Sequence, residues 1–248
     1  MAGHLIIAGN QKCGTTALFD MLAEHPEVAV PHDGRKELHF FDRITWWRPM
    51  NAYQRGKHRR RWSEDDRAAA TVCLEATPIL GYMSAPRHPD CFALAHRYDP
   101  EARIILLFRN PIDRAYSQWS MERKRGNTDL DFEAAIAHER QVAPFHRVHS
   151  YVSRGEYDRI AENALNTFGP KQVLFLKTEE LLHQPADALS RVQQFAGIED
   201  NQLEHKESFK GRYDANMDPE TREQLRVHFE PHNARFSALT GIDVSDWN

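Results

Sequence analysis

The sequence predicts an α/β fold of three layers, a central parallel sheet flanked by helices. Three observations carry that expectation. A short apolar run at Leu5–Ala8 feeds a glycine-containing turn and then an amphipathic segment, the pattern of strand, loop and helix. Arg103–Phe108 is a near-continuous apolar run, as parallel sheets bury on both faces. Strand-like and helix-like patterns then alternate along the chain, which places helices over both faces of one sheet.

Taken in order, Leu5–Ala8 is the first strand, and the apolar period through Leu18, Met21 and Leu22 makes a helix ending near His25, because Pro26 follows. Val28–Val30 is a short second strand before the polar PHDGRKE stretch. Between Trp46 and Arg67 aliphatic residues are sparse while aromatic and basic ones abound, so this reads as a surface excursion. Thr71–Leu74 is a strand, and Pro78 marks an element boundary. Arg103–Phe108 is the strongest strand. Asn110 and Pro111, as N-cap and first helical residue, start a helix reaching about Arg125. Asp131–Val142, Glu156–Phe168 and Ala186–Ala196 are further helices, with a strand at Gln172–Leu176. Asp218-Pro219 opens a final helix through Leu225, Phe229, Phe236 and Leu239, whose continuity past Pro231 is left open.

The chain of 248 residues exceeds the roughly 100–200 of a typical domain and falls short of two, so residues 1–248 are expected to form one domain. Lys plus Arg number 32 and Asp plus Glu 36, a balance that disfavours a duplex-DNA binder. Hydrophobic residues at 41 % and charged residues at 27 % exclude a disordered acidic chain. The three cysteines, Cys13, Cys73 and Cys91, have no metal-ligand spacing and cannot close a complete disulfide set, so a reducing cytoplasm is expected. No signal peptide or membrane span is apparent, since no stretch approaches about 20 apolar residues.

Two segments carry chemistry. Gly9-Asn10-Gln11-Lys12-Cys13-Gly14-Thr15-Thr16 lies between a strand and a helix, where backbone N–H groups at the positive helix end can meet anionic oxygens, with Lys12 and the threonine hydroxyls adding contacts. It lacks the GxxxxGK[ST] order of nucleoside-triphosphate loops, and a structural tight turn is the other reading. Cys13 lies in this turn, where its thiol pKa could fall. The second segment runs from Phe108 to Ser117. It puts Arg109 at the carboxyl end of a buried strand, where open parallel sheets bind ligands, and Ser117 about two turns into the next helix. Arg114 reads as a solvated helix arginine.

Together these segments resemble the phosphosulfate-binding motifs of sulfotransferases that use 3'-phosphoadenosine 5'-phosphosulfate (PAPS), most closely the heparan-sulfate glucosaminyl O- and N-sulfotransferase branch, in the compact form of a soluble bacterial member. The resemblance runs from His4 to Trp247 and implies a P-loop-like sulfotransferase fold. It further implies that Lys12, Cys13, Gly14, Thr15 and Thr16 hold the 5'-phosphosulfate, with Lys12 beside the bridging oxygen, and that Arg109 and Ser117 bind the 3'-phosphate. Ser208-Phe209-Lys210-Gly211-Arg212 is similar to the family loop that closes over the nucleotide, with one inserted Phe; Lys210, Gly211 and Arg212 are the residues carried over.

Lys36-Glu37-Leu38-His39-Phe40-Phe41-Asp42 resembles the family's Glu-x-His-Phe-Phe-Asp stretch, which makes Glu37 the expected base. A carboxylate beside the acceptor alcohol suits a transfer in which the alcohol loses its proton as the O–S bond forms. His39 either positions the base or acceptor or is a structural histidine. Glu75-Ala76-Thr77-Pro78 departs from the family's Glu-Lys-Thr-Pro, since Ala76 offers neither charge nor proton; Glu75 is either catalytic or part of a buried ion pair. Trp46, Trp47, Tyr53 and Trp62, with the arginines between them, either line an acceptor cleft or cover the core.

The expected reaction is in-line sulfuryl transfer from PAPS to a hydroxyl of a carbohydrate or hydroxylated small metabolite, without metal or covalent intermediate, releasing adenosine 3',5'-bisphosphate (PAP). A nucleotide-dependent phosphotransferase and a non-catalytic binder of anionic glycans or single-stranded nucleic acid are the alternatives; no nucleic-acid partner is expected.

Overall fold

The computed structural model describes residues 2–43, 50–84, 90–142, 146–203 and 217–247. Five strands, β1 (Gly3–Gly9), β2 (Val28–Ala29), β3 (Val72–Ala76), β4 (Arg103–Phe108) and β5 (Val173–Lys177), form one sheet in the order β2-β3-β1-β4-β5, with every paired strand parallel. The order reverses beside β1, which leads first to β2 and β3 on one side and later to β4 and β5 on the other. Such a reversal opens a crevice at the carboxyl edge of an open sheet.

Strand alternation divides the central residues between two cores. Ile6, Ala8, Ile104, Leu106 and Phe108 face one side, while Leu5, Ile7, Ile105, Leu107 and Leu74 face the other. Both faces are covered, which explains why β1 and β4 read as continuous apolar runs. Helices α1 (Thr15–Leu22) and α9 (Pro185–Ala196) supply apolar residues to the Leu5 side. Helices α4 (Cys91–Tyr98), α7 (Tyr157–Phe168) and part of α10 (Pro219–Thr240) supply the Ile6 side. A third cluster joins α5 (Pro111–Lys124) and α6 (Phe132–Glu139) to Leu225 and Phe229 of α10.

The predicted strands and most helices lie within a few residues of their expected bounds. The region read as a surface excursion differs: it contains α2 (Ala52–Arg59) and α3 (Glu64–Ala69). Asn51 and Gln54 form a reciprocal capping box for α2, and Ser63 caps α3. Trp62 is 3 % exposed and its Nε1 donates to Ala29 O at 3.1 Å, so this tryptophan is core and not a surface for acceptor. Tyr53 is exposed, while Trp46 and Trp47 lie outside the described residues. Helix α10 continues through Pro231. Helices α4 and α8 (Thr178–His183), not anticipated from sequence, complete the set. No described helix is long and apolar enough to cross a membrane.

Candidate active site

The anion-loop candidate leaves β1 at its carboxyl end and is fixed from three directions. Asn10 donates through its backbone N–H and Nδ2 to Leu107 O, at 2.8 and 3.1 Å, which ties the loop to β4. Cys13 N–H donates to Asn10 O at 3.1 Å and closes the turn. Thr178 Oγ1 lies 2.8 Å from Cys13 O and 3.0 Å from Phe108 O, so one buried hydroxyl binds the loop to the ends of β4 and β5. Lys12 and Gly14 both have positive φ, 72° and 87°. The glycine takes this left-handed conformation without steric penalty at the entry to α1. Helix α1 has no side-chain cap at Gly14, and the positive end of a helix without such a cap is suited to an anion.

The thiol of Cys13 is fully buried and its pKa is raised to about 11 by burial, which outweighs Arg114 and the other nearby charges. The lowered pKa expected of an anion-binding turn is therefore overturned: the thiol is buried, 3.9 Å from both Tyr157 OH and Gln11 O. Thr15 is buried and Thr16 is exposed at the start of α1.

Arg109 follows β4 directly, and its carbonyl accepts a 2.9 Å hydrogen bond from Tyr157 OH. Asn110 caps α5 with its side-chain oxygen on the N–H groups of Ile112 and Asp113, while its Nδ2 donates to Trp247 O at 3.0 Å. Ser117 lies buried farther along the same helix. Arg114, expected to be solvated, is instead 0 % exposed, donating to Gln118 Oε1 at 2.9 Å and to Tyr151 O. Its guanidinium bridges α5 to the segment between α6 and α7. Lys210, Gly211 and Arg212 lie outside the described residues.

The acidic segment is attached to the same edge. Ala76 N–H donates to Lys36 O at 3.0 Å, hooking residues 36–42 onto the end of β3. Lys36 Nζ donates to Thr16 Oγ1 and so joins the segment to the first turn of α1. Glu37 Oε2 lies 3.3 Å from His39 Nε2, and His39 Nδ1 lies 2.9 Å from Asp42 Oδ2. Arg147 Nη2 holds the same Asp42 oxygen at 2.9 Å. The hydrogen bond from His39 depresses the Glu37 pKa below the usual carboxylate range. Hydrogen bonds to Asp42 and Glu37 raise His39 to about 9, so the imidazole is a cation between two carboxylates at neutral pH. Glu37 remains part-exposed at the open end of this chain, while Asp42 is buried at the other.

Glu75 is placed differently. Its carboxylate is 0 % exposed, with Oε1 3.2 Å from His4 Nε2 and Oε2 3.5 Å from His58 Nε2. Burial alone would raise its pKa, but the adjacent histidines hold the carboxylate below the usual range, while burial pushes His58 itself down. Phe40, Phe41, Trp62 and Tyr98 pack around these rings. Sequence left Glu75 as either catalytic or part of a buried ion pair, and the structure sets its carboxylate between two buried histidines.

Residues that stiffen the crevice from a distance carry no motif and were not anticipated from sequence. Arg154, buried, donates to Gln11 Oε1 in the anion loop and to Arg147 O at 2.7 Å, with its guanidinium 4.9 Å from the Tyr82 ring centroid. Burial lowers its pKa to about 10, leaving it charged at neutral pH. Asp42 is visible as the end of the Glu-x-His-Phe-Phe-Asp stretch, but its ion pair with Arg147 joins residues far apart in sequence. Thr178, at the end of β5, leaves no local signal.

The family profile described as the sulfotransferase domain matches residues 2–235. The chain belongs to this family. It is a sulfotransferase. Heparan sulfate glucosamine 3-O-sulfotransferase 6 of Mus musculus is 26 % identical over 96 % of this chain and 72 % of that protein. Bifunctional heparan sulfate N-deacetylase/N-sulfotransferase 1 of Mus musculus is 24 % identical over 95 % of this chain and 29 % of that protein. This sulfotransferase spans 61 to 72 % of the length of the first three 3-O-sulfotransferases it matches. The crystal structure of a sulfotransferase from Alicyclobacillus acidocaldarius superposes with a TM-score of 0.81 at 24 % identity, covering 100 % of this chain and 99 % of that one, which establishes the shared fold.

Proposed function

We propose that this sulfotransferase moves the sulfuryl group of PAPS to a hydroxyl of a carbohydrate or hydroxylated small metabolite, with Glu37 as general base. The observation that supports this reading most is the Lys36–Thr16 contact, because it brings the Glu37–His39–Asp42 chain onto the helix whose N-terminus would hold the donor. The anion loop would bind the 5'-phosphosulfate through first-turn amides, Lys12 and Thr16. Arg109, at the end of β4, and Ser117, on α5, would bind the 3'-phosphate. Lys210, Gly211 and Arg212 would close over the nucleotide.

In the transfer, the acceptor oxygen forms a bond to sulfur while the bond from sulfur to the bridging phosphate oxygen breaks. The acceptor proton passes to Glu37, and the bond pair leaves with the phosphate of PAP. Lys12 and the α1 amides offset the charge that grows on that leaving oxygen, where preorganised donors act most strongly. Cationic His39 keeps Glu37 ionised and oriented; Asp42, held by Arg147, keeps His39 protonated. Relatives named for O-sulfation and for N-sulfation both align with the chain. The choice of a hydroxyl acceptor rests on Glu37, since an alcohol must lose its proton during transfer whereas an amine can lose it afterwards.

Transfer of labelled sulfate from PAPS to a panel of glycan and small-molecule alcohols tests this proposal. Glu37→Gln is expected to lower kcat by about 10²–10⁴-fold, the range for a general base, while PAP binding is unchanged. Full turnover by Glu37→Gln would exclude it as the base.

A further inference from the structure

His228 and His232 lie four residues apart on α10, which sets both imidazoles on one face of that helix. The face meets the start of α7, where Glu156 precedes the first helical residue. Glu156 Oε1 lies 3.4 Å from His228 Nε2 and 3.9 Å from His232 Nε2. One ligand atom from each of the three residues falls within 4.8 Å of the others. The second carboxylate oxygen of Glu156 is held by Arg159 Nη1 at 2.7 Å, which leaves Oε1 toward the rings.

The surroundings prepare His232 in particular. Its Nδ1 lies 2.8 Å from Asp158 Oδ1, and Asp158 is held in turn by Arg235 Nη1 at 3.4 Å. A proton on Nδ1 shared with that carboxylate leaves the Nε2 lone pair directed at the space shared with His228 and Glu156. Metal-ligating histidines typically carry such a partner on the other nitrogen.

Ligand distances of about 2.0–2.2 Å in a tetrahedral zinc site give ligand–ligand edges of roughly 3.3–3.5 Å. The Glu156–His228 edge already has this length, the Glu156–His232 edge is 3.9 Å and all three ligand atoms lie within 4.8 Å of one another, so the triangle contracts when an ion binds. The side chains are 12 %, 39 % and 19 % exposed for Glu156, His228 and His232, so an ion has an entry path and water can supply a fourth ligand. The other cluster of this kind among the described residues, His4, His58 and Glu75, is buried throughout and offers no such path.

We propose that Glu156, His228 and His232 bind a divalent transition-metal ion of the zinc type, clasping α10 to the start of α7, with Asp158 orienting His232. Two imidazoles and one carboxylate favour such an ion over magnesium or calcium. Cysteine spacing could not reveal this site, because its ligands are histidines of one helix and a glutamate brought to them by the fold.

The test is calorimetric titration of the metal-stripped full chain with Zn²⁺, with Mg²⁺ as control, for the parent and for His228→Ala, His232→Ala and Asp158→Asn. Circular dichroism and thermal midpoints without metal establish that each variant is folded. The parent is expected to bind one equivalent of Zn²⁺ and no Mg²⁺, and its thermal midpoint to rise with Zn²⁺. Each histidine variant should bind Zn²⁺ at least about tenfold more weakly, and Asp158→Asn about 10–100-fold more weakly, as for lost partners of metal-ligating histidines. Absence of zinc binding by the folded parent overturns the proposal. So does undiminished affinity in both histidine variants, which would place the ion elsewhere.

Discussion

At the scale of single residues, the proposed chemistry turns on an imidazole held between two carboxylates. His39 is raised to about 9 by hydrogen bonds to Asp42 and then Glu37, so its contribution to stability is fully present below its unfolded value near 6.5 and is lost as pH rises through about 9. NMR titration of the His39 ring should give a midpoint near 9, and Asp42→Asn should bring it down toward the ordinary histidine range. A His39 midpoint near 6.5 in the parent would contradict the relay. The residue types of this chain are legible in the sequence, since Glu37, His39 and Asp42 occupy one short motif. Their environment is not: the Arg147 that secures Asp42 arrives from a distant segment, Arg114 is buried where a solvated arginine was expected, and burial pushes the Cys13 thiol up where the anion-binding turn suggested a fall. A buried guanidinium needs acceptors on its own scaffold, which Gln118 and Tyr151 provide to Arg114.

At the scale of elements, the crevice is built from the loops and helix starts at the carboxyl ends of the strands. Helix α5 starts where Asn110 and Pro111 foretell, because an N-cap side chain and a proline with preset φ are local signals that tertiary structure need not override. Asn110 does more than cap, since its Nδ2 also holds Trp247 near the end of the chain. Asn110→Ala is therefore expected to cost about 1–2 kcal/mol, the upper part of the range for N-cap removal, measured by urea denaturation. A change below a few tenths of a kcal/mol would show that cap and bridge are both dispensable. Helices α2 and α3 escape a reading guided by apolar periodicity. Their ends are set by polar capping at Asn51 and Ser63, and α3 has no buried residue. In α2 the buried side is a histidine, which hydropathy scores as polar, although His58 is packed among aromatic rings.

At the scale of the whole molecule, one sheet supports two kinds of charge on opposite terms. Lys12 and Arg109 follow β1 and β4 at its carboxyl edge, beside the start of α1, while the buried Glu75 lies between His4 and His58. Glu75→Ala would leave two buried imidazoles without their carboxylate and should destabilise the fold by about 1–3 kcal/mol, as for buried polar groups left unpaired. Thermal and urea unfolding check this, and a loss of activity with stability unchanged would instead place Glu75 in the reaction. The parallel sheet and the two-sided core are legible from alternation and apolar runs; the convergence of segments from β1, β3, β4 and β5 on one crevice is not, since it depends on long-range bonds such as Thr178 to Cys13 and Lys36 to Thr16.

The donor site is central to the proposed chemistry, and calorimetric binding of adenosine 3',5'-bisphosphate against adenosine 5'-monophosphate, in the parent and in Arg109→Ala, tests it most directly. A strong preference for the bisphosphate that Arg109→Ala abolishes is the expected result, since only the 3'-phosphate distinguishes the two ligands. Equal affinity for both nucleotides in the folded parent, or a preference untouched by Arg109→Ala, would contradict the assignment of the end of β4 to the 3'-phosphate.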